Sequence, residues 1–347
     1  MLICRFINSD EAFFINLSKT AIRRFNLESN RLFVSKDEKH FVNLYLDATV
    51  CEYRNASLIP IKKLSKMKNP DTVCFSDNGK KVALKSNNNT VEVYSLETMK
   101  NIFKGYGPRM FGGKMFFADD TTLLSSTEDG TIYTTDIITG NIKQLHNLNL
   151  KNVDIIQANR SEYFILANKE NHGACILGLF FENKQTCIKP IYSSLEEIDT
   201  SVSCFTNNKL YSLSKNNELL IFSYDADKCL MTLEDCIRIF NQADVEQFTS
   251  HAFDKIHKIT PQLNLQLDPQ MIAVDITPML MERYVIIAFN YALIVFDIKR
   301  NAITCKHPLS NGITSILTTA NGEHIWLSSP IGLQHILTRD ILNVFEE

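Results

Sequence analysis

Short runs of alternating apolar and polar residues recur along most of the chain, and polar turns separate them. Residues 90–103 show the pattern: an alternating run begins at Thr90, a polar cluster follows, and a second short apolar run ends at Phe103. Alternation with a period of two is typical of a half-buried β-strand, and two such runs joined by a turn predict a β-hairpin.

The hairpins recur at a nearly constant spacing. They begin near residues 49, 90, 131, 175, 218, 292 and 331, in steps of 41, 41, 44, 43, 74 and 39 residues. Upstream of each hairpin lies another pair of apolar runs, joined by turns rich in Asn, Asp and Gly, which tolerate the backbone angles of tight turns. Each unit therefore predicts four short antiparallel strands. A period of about 40–45 residues is that of a four-stranded propeller blade.

A dipeptide recurs near the end of the third predicted strand, at Tyr94-Ser95, Thr135-Asp136, Phe222-Ser223 and Phe296-Asp297. Through repeat length, hairpin pattern and the position of this dipeptide, residues 21–347 resemble the WD40-like β-propeller family. Two of the four copies retain the Asp, and the Gly-His pair that the family places before its first strand is missing. The resemblance is therefore to a degenerate member of that family.

The fold class predicted is all-β: one seven-bladed β-propeller of four-stranded antiparallel blades, spanning residues 1–347. Seven repeats occupy residues 31–347. Residues 1–30 contain further apolar runs at 3–6, 12–15 and 22–25. Such a segment completes the last blade, as N-terminal strands of propellers commonly do, or it forms part of an eighth blade. Seven blades is the prediction, and eight is the alternative.

The longest step contains a segment, residues 233–270, that does not alternate. Residues 235–240 and 245–256 place apolar side chains at helical spacing, which predicts one or two amphipathic helices. Such a helical insertion either packs against its own propeller or serves as a docking element, because it is not needed to build a blade.

Composition and charge narrow the classes of function. Hydrophobic residues make up 45% of the chain and charged residues 22%, as in globular proteins. The formal net charge is −3, so nucleic acid is not expected as a direct ligand. No apolar run reaches the length of about 18 residues needed to span a membrane, and no secretory leader is expected. Nine cysteines without a C-x-x-C pair favour a reducing compartment, the cytoplasm or the nucleus.

The sequence contains none of the common catalytic or phosphate-binding motifs, so no catalytic residue, metal or cofactor is expected. A non-catalytic protein–protein interaction scaffold, or an adaptor subunit of a larger complex, is predicted, with one or more protein partners. Candidate partner-binding residues are aromatic or Arg side chains of the Gly-rich loop 105–113 and of the insertion: Tyr106, Arg109, Phe111, Phe240, Phe248 and Phe253.

Two alternatives remain open at this point. One is a propeller enzyme, similar to propeller hydrolases or lactonases, with a metal site in the central channel. It requires Asp, Glu, Asn or His on the inner strands of several blades, whereas the inner-strand runs 73–75 and 115–117 are apolar. The other is a structural subunit that folds only within a larger assembly.

Overall fold

The computed structural model describes residues 15–17, 20–25, 31–35, 37–44, 48–54, 57–64, 67, 70–86, 90–107, 114–127, 130–159, 162–168, 173–182, 185–194, 198–259, 271–279, 283–309, 313–319, 323–329 and 332–338. Two short strands precede the repeats, β1 (Ile15–Leu17) and β2 (Thr20–Phe25). Blade 1 then consists of β3 (Arg31–Val34), β4 (Phe41–Leu44), β5 (Ala48–Arg54) and β6 (Ser57–Lys63).

The next three blades follow in chain order. Blade 2 consists of β7 (Pro70–Phe75), β8 (Lys81–Ser86), β9 (Thr90–Ser95) and β10 (Lys100–Tyr106). Blade 3 consists of β11 (Met115–Phe117), β12 (Thr122–Ser126), β13 (Thr131–Asp136) and β14 (Ile142–Asn147). Blade 4 consists of β15 (Lys151–Gln157), β16 (Glu162–Asn168), β17 (Ala174–Glu182) and β18 (Gln185–Ser193).

The last three blades complete the repeats. Blade 5 consists of β19 (Ile198–Thr206), β20 (Lys209–Ser214), β21 (Glu218–Asp225) and β22 (Leu230–Arg238). Blade 6 consists of β23 (Ala273–Met279), β24 (Tyr284–Phe289), β25 (Ala292–Asp297) and β26 (Ala302–Pro308). Blade 7 contains β27 (Ser315–Thr318), β28 (His324–Ser329) and β29 (Gly332–Leu337).

Over the described residues, these strands form seven sheets in which chain neighbours pair side by side. The fold is a seven-bladed β-propeller of four-stranded antiparallel sheets, as predicted. The third strand of every blade begins within one residue of a predicted hairpin start.

The N-terminal segment supplies the missing strand of blade 7. β2 pairs antiparallel with β29, with Arg23 opposite His335 and Phe25 opposite Leu333, and β1 adds a fifth strand beyond β2. Of the predicted N-terminal strands, 22–25 is therefore confirmed as a closing strand of the seventh blade. The runs 3–6 and 12–14 lie outside the described residues.

Burial changes from the third to the fourth strand of a blade. β25 is buried along its whole length and β9 in all but its last residue, whereas most residues of β10 and β14 are exposed. A strand paired on both sides and covered on both faces is expected to be apolar throughout, whereas an edge strand contacts solvent. Side chains that reach a partner are therefore expected on the fourth strands.

The chain divides into two compact units, one of residues 33–215 and 221–234, the other of residues 1–32, 216–220 and 235–347. In the first unit, adjacent blades bury apolar faces against each other. For example, Val50 of blade 1 and Val82 of blade 2 belong to one buried cluster. In the second unit, Val295 of blade 6 and Ile325 of blade 7 belong to one cluster. The interior of each unit thus lies between neighbouring sheets.

The insertion contributes one helix within the described residues, α1 (Gln242–Ile259). Its first turn is capped reciprocally: the Asn241 side-chain oxygen accepts the Asp244 N–H at 2.8 Å, and the Asn241 N–H donates to the Asp244 carboxylate at 3.0 Å. This arrangement is a capping box, which satisfies N–H groups that the helix leaves unpaired.

The helical prediction for residues 235–240 is wrong, because β22 continues to Arg238. Over residues 234–238 of this strand, burial alternates between exposed and half-buried positions, so the same short run satisfies a period of two as well as a helical period. Residues 260–270 of the predicted insertion lie outside the described residues.

Carboxylates cap the turns that follow several third strands. Asp136 accepts the N–H groups of Ile138 and Thr139 at 2.8 and 2.9 Å. In blade 5 the corresponding acceptor is Asp225, which receives the Lys228 N–H at 3.1 Å. The dipeptide of this blade is therefore Tyr224-Asp225 and not Phe222-Ser223, because β21 runs two residues further than predicted.

Candidate interaction surface

Exposed large apolar side chains are concentrated on the fourth strands of blades 1–3. We call this set the edge patch, and its members are Ile59, Ile61, Ile102, Tyr106, Ile138 and Ile142. The exposed fraction of these side chains ranges from 44% at Ile61 and Ile142 to 75% at Ile138. Single exposed apolar residues are common on protein surfaces, but a group on neighbouring elements is typical of an interaction site.

Two members of the edge patch lie at β-bulges. In blade 1 the register shift leaves Ile61 without an opposite residue on β5, and in blade 2 a shift leaves Ile102 without one on β9. A bulge turns its extra residue out of the regular pleat and bends the strand. Ile61 and Ile102 are exposed to 44% and 46%, and the regularly paired Ile59 and Ile142 are exposed to 45% and 44%, so the edge position of these strands accounts for the exposure.

The turn between β13 and β14 presents Ile138. The Asp136 carboxylate accepts the Ile138 N–H, and the Gly140 N–H donates to the Asp136 carbonyl oxygen at 2.8 Å. Gly140 has a φ of +75°, which L-residues rarely adopt, and it therefore allows the chain to turn into β14. The capped turn holds Ile138 outward on a fixed backbone.

Two contacts join the parts of the edge patch. The Lys62 ammonium on β6 donates to the carbonyl oxygen of Met99, in the turn before β10, at 2.8 Å. A Cβ placed on Gly140 of blade 3 would lie 3.9 Å from the Phe103 ring of β10. Blade 2 therefore contacts blade 1 at Lys62 and approaches blade 3 at Gly140, and the members of the edge patch lie on three successive blades.

A buried carboxylate underlies the middle of the patch. Glu92 on β9 accepts the Tyr94 hydroxyl at 2.6 Å and forms an ion pair with Lys104 of β10 at 2.9 Å. The hydrogen bond from Lys104 to Glu92, together with the negative charge of Glu92, raises the pKa of Lys104. This network fixes the strand that carries Tyr106.

The structure separates the sequence-predicted residues of the Gly-rich loop. Tyr106 is the last residue of β10 and is 68% exposed, so the first two residues of the predicted loop are in fact strand. Arg109 and Phe111 lie outside the described residues. Tyr106 is the one candidate residue that the described structure places on the edge patch.

Aromatic residues of the insertion pack inward. Phe248 is 3% exposed, and its ring lies 5.8 Å from Phe240, whose ring lies 4.7 Å from the buried Phe289 of blade 6. Because Phe248 is buried, its side chain is not available to a partner at this surface. Phe240 is half-buried, and its ring joins the helix to the sheet. The side chain of Phe253 lies outside the described residues. The first half of α1 thus packs against the unit that contains it.

The first strands of several blades carry carboxylates that the apolar runs of the sequence did not predict. Asp71, Asp154 and Asp275 all stand at register shifts between a first and a second strand. Asp154 accepts the Ile155 N–H at 2.9 Å and forms an ion pair with Lys114 at 2.8 Å. Partners from the chain itself therefore occupy both carboxylate oxygens of Asp154.

Two further findings concern the described part of the chain only. Within it, no group of three or more His, Cys, Asp or Glu side chains is arranged to hold a metal ion. Among the same residues, no helix is both long and apolar enough to cross a membrane.

The isoleucines of the edge patch were not predicted from the sequence, because the predicted contact residues were aromatic or Arg side chains. A signal was present: β6 (SLIPIKK), β10 (KNIFKGY) and β14 (IKQLHN) mix Ile with Lys. Fully buried strands such as β25 (ALIVFD) have no lysine. Lysine interspersed with isoleucine is the composition expected of an edge strand.

Comparisons with known proteins identify the fold. No protein-family model matches the chain, and no curated protein sequence matches it. The structure is similar to the Cps50 (Swd1) β-propeller domain of Myceliophteria thermophila, with a TM-score of 0.68 and 12% identity, over 90% of this chain and 97% of that one. It is also similar to a hydrazine synthase of Kuenenia stuttgartiensis, with a TM-score of 0.65 and 9% identity, over 91% and 97% of the two chains. Because 1727 chains of known structure match, the similarity establishes the β-propeller and leaves the activity open.

Proposed function

We propose that this protein is a non-catalytic interaction scaffold, a degenerate WD40-like propeller domain over residues 1–347 that binds another protein through the edge patch. The observation that carries this proposal is the presence of exposed large apolar side chains on three successive blades. Interface energy is concentrated in a few well-placed apolar or aromatic side chains surrounded by polar residues. The edge patch has this composition, with lysines beside its isoleucines.

Rigidity supports the same function. The strands below the patch are buried, the turn that presents Ile138 is capped by Asp136, and Lys104 ties β10 to Glu92. A surface that is already ordered loses little conformational entropy when a partner binds.

Affinity capture with two surface variants tests the proposal. The tagged wild-type protein, the double variant Ile102→Asp/Ile142→Asp and the control Leu230→Asp are each incubated with an extract of the source cells. Leu230 is a matched control because it is 46% exposed, as Ile102 is, but lies on the fourth strand of blade 5. Because each replaced side chain is about half buried, each substitution is expected to lose about 1–2 kcal/mol, and urea unfolding checks that the variants remain folded.

A stoichiometric partner is expected on the wild type and on Leu230→Asp, and it is expected to be lost from the double variant. Binding is then repeated with the purified partner, because a single reconstituted pair excludes indirect capture. Recovery of the same proteins by all three baits would contradict a role for the edge patch.

One observation favours a second candidate, a propeller enzyme with a central metal site. Carboxylates on first strands, such as Asp71, are the residue type that such a site requires, although the described residues contain no group of three or more His, Cys, Asp or Glu side chains arranged to hold a metal. Against it, Asp154 is engaged by Lys114 and by its own backbone. Metal analysis of the purified protein separates the two candidates: a stoichiometric divalent ion that survives dialysis would favour the enzyme, and its loss on Asp71→Asn would locate the site.

A further inference from the structure

The three strands that carry most of the edge patch are basic, whereas the whole chain has a negative net charge. The strands β6, β10 and β14 contain neither Asp nor Glu, and they carry five lysines: Lys62, Lys63, Lys100, Lys104 and Lys143. The formal net charge of the protein is −3. A local basic surface on an acidic protein attracts and orients acidic partners.

The lysines differ in how much positive charge they leave available to a partner. Lys104 is neutralised by the buried Glu92, so it stabilises β10 and adds little net charge to the surface. Lys62 donates to the Met99 carbonyl oxygen, which fixes its position but leaves its charge. Lys100 and Lys143 are exposed, two residues from Ile102 and next to Ile142. Positive charge therefore lies beside apolar side chains in each of the three blades.

The strand edges themselves do not suit a partner strand. The bulges at Ile61 and Ile102 interrupt the regular row of backbone groups that an added β-strand would need. Recognition through this surface therefore depends on side chains. A partner segment that crosses three blades needs apolar side chains on one face and carboxylates at its margins.

Resting on the function proposed above, we propose that the edge patch binds an acidic amphipathic segment of a partner protein. Apolar side chains of that segment contact Ile61, Ile102 and Ile142, and its carboxylates pair with Lys62, Lys100 and Lys143.

A membrane surface fits the same features less well. Interfacial anchoring depends on protruding large apolar or aromatic side chains and on dense clusters of basic residues. The isoleucines on the three strands are more than half buried in their sheets, Tyr106 is the only aromatic residue of the patch, and the lysines are spread over three strands.

A labelled peptide provides the direct test. The probe is an amphipathic helical peptide of about 18 residues with Leu at i, i+3, i+4 and i+7 spacing and Glu elsewhere. The comparison peptide keeps every Leu and replaces Glu by Lys. Fluorescence anisotropy measures the binding of both peptides to the full-length protein, at low salt and at a salt concentration that shortens the Debye length to about 3 Å.

The acidic peptide is expected to bind at least tenfold more tightly than the basic one, and high salt is expected to weaken it. Ile102→Asp is expected to weaken binding about tenfold or more, since it removes an apolar contact and adds like charge. Lys100→Glu/Lys143→Glu is expected to abolish the preference for the acidic peptide. The controls are Leu230→Asp and Lys228→Glu/Lys299→Glu, which change exposed residues of other blades and are expected to bind as the wild type does.

Three results would overturn the inference: equal affinity for both peptides, wild-type affinity of Ile102→Asp, or no binding of the acidic peptide. Vesicles of phosphatidylserine and phosphatidylcholine test whether an anionic lipid surface is the ligand instead. If the wild-type protein binds these vesicles but not the acidic peptide, and Ile102→Asp abolishes the binding to vesicles, the ligand is a lipid surface. If a captured protein depends on the patch but the acidic peptide does not compete with it, the scaffold function stands and the acidic partner is refuted. If no captured protein depends on the patch, the scaffold function itself fails.

Discussion

Removal of the Phe248 ring is expected to detach the helix α1 from blade 6. Phe248 is 3% exposed and contacts Phe240, which in turn contacts Phe289. An aromatic side chain buries about 150–250 Å². At about 25 cal/mol per Å² that area corresponds to roughly 4–6 kcal/mol, of which alanine retains a part. The helix lies at the side of a sheet and relaxes after truncation, so we expect Phe248→Ala to cost about 3 kcal/mol, the lower end for such substitutions.

Urea unfolding followed by circular dichroism measures the loss, and hydrogen exchange of the amides of residues 242–259 shows where it occurs. Those amides are expected to exchange faster, whereas amides of the blade 2 strand β9 are expected to be unchanged at short times. Gln247→Ala is the control, because Gln247 is exposed on the same helix. The double variant with Phe240→Ala is expected to show a coupling energy of about 1 kcal/mol between the rings. A loss below about 1 kcal/mol with unchanged helix exchange would refute the packing role of this ring pair.

Three further predictions concern the caps and turns. Burial would raise the pKa of Asp244, but the Lys306 ion pair and the cap hold it below 3.8, so its stabilising contribution is present above pH 3.8 and is lost as the pH falls through the folded value; Asp244→Asn is expected to lose about 1 kcal/mol at neutral pH and progressively less when urea unfolding is repeated at pH values below 3.8. Asp297 is 1% exposed and accepts two backbone N–H groups, so Asp297→Ala is expected to lose about 2 kcal/mol and Asp297→Asn less, in the same assay. Gly79→Ala is expected to lower the melting temperature more than Gly140→Ala, because both have positive φ but only at Gly79 does a Cβ meet a neighbour within 3.4 Å; equal shifts would contradict the steric part of this explanation.

The sequence predicted the blades well because each repeat is specified locally. Third strands such as β9 alternate or run apolar, and their turns contain Asp, Asn or Gly, so the repeat is visible without tertiary information. The end of β21 was misplaced by two residues, since Tyr224-Asp225 and Phe222-Ser223 both pair an aromatic with a small polar residue. The Asp225 carboxylate accepts the Lys228 N–H across the turn, and this contact identifies Tyr224-Asp225 as the dipeptide of blade 5.

The candidate surface was less predictable, because exposure is a property of the sheet. Ile102 lies at a bulge whose position depends on pairing with β9, so the mixture of Ile and Lys in β10 indicates an edge strand but does not locate the bulge. Conversely, Phe248 has the composition of a contact residue but is buried by Phe240. Residues 235–238 fit both the period of two of a strand and the period of a helix, and in the structure they are part of the strand β22 of blade 5.

The pairing of β2 with β29 has a consequence for biosynthesis. A ribosome finishes β2 about 300 residues before β29, and at roughly 5–20 residues per second the earlier strand waits about 15–60 seconds for its partner. During this interval its backbone groups lack their final partner, while blades 1–6 are made one after another. Nascent chains that have not yet reached residue 332 therefore lack the pairing that completes blade 7 and are exposed to chaperones and to misassembly between copies, until the synthesis of β29 supplies that partner.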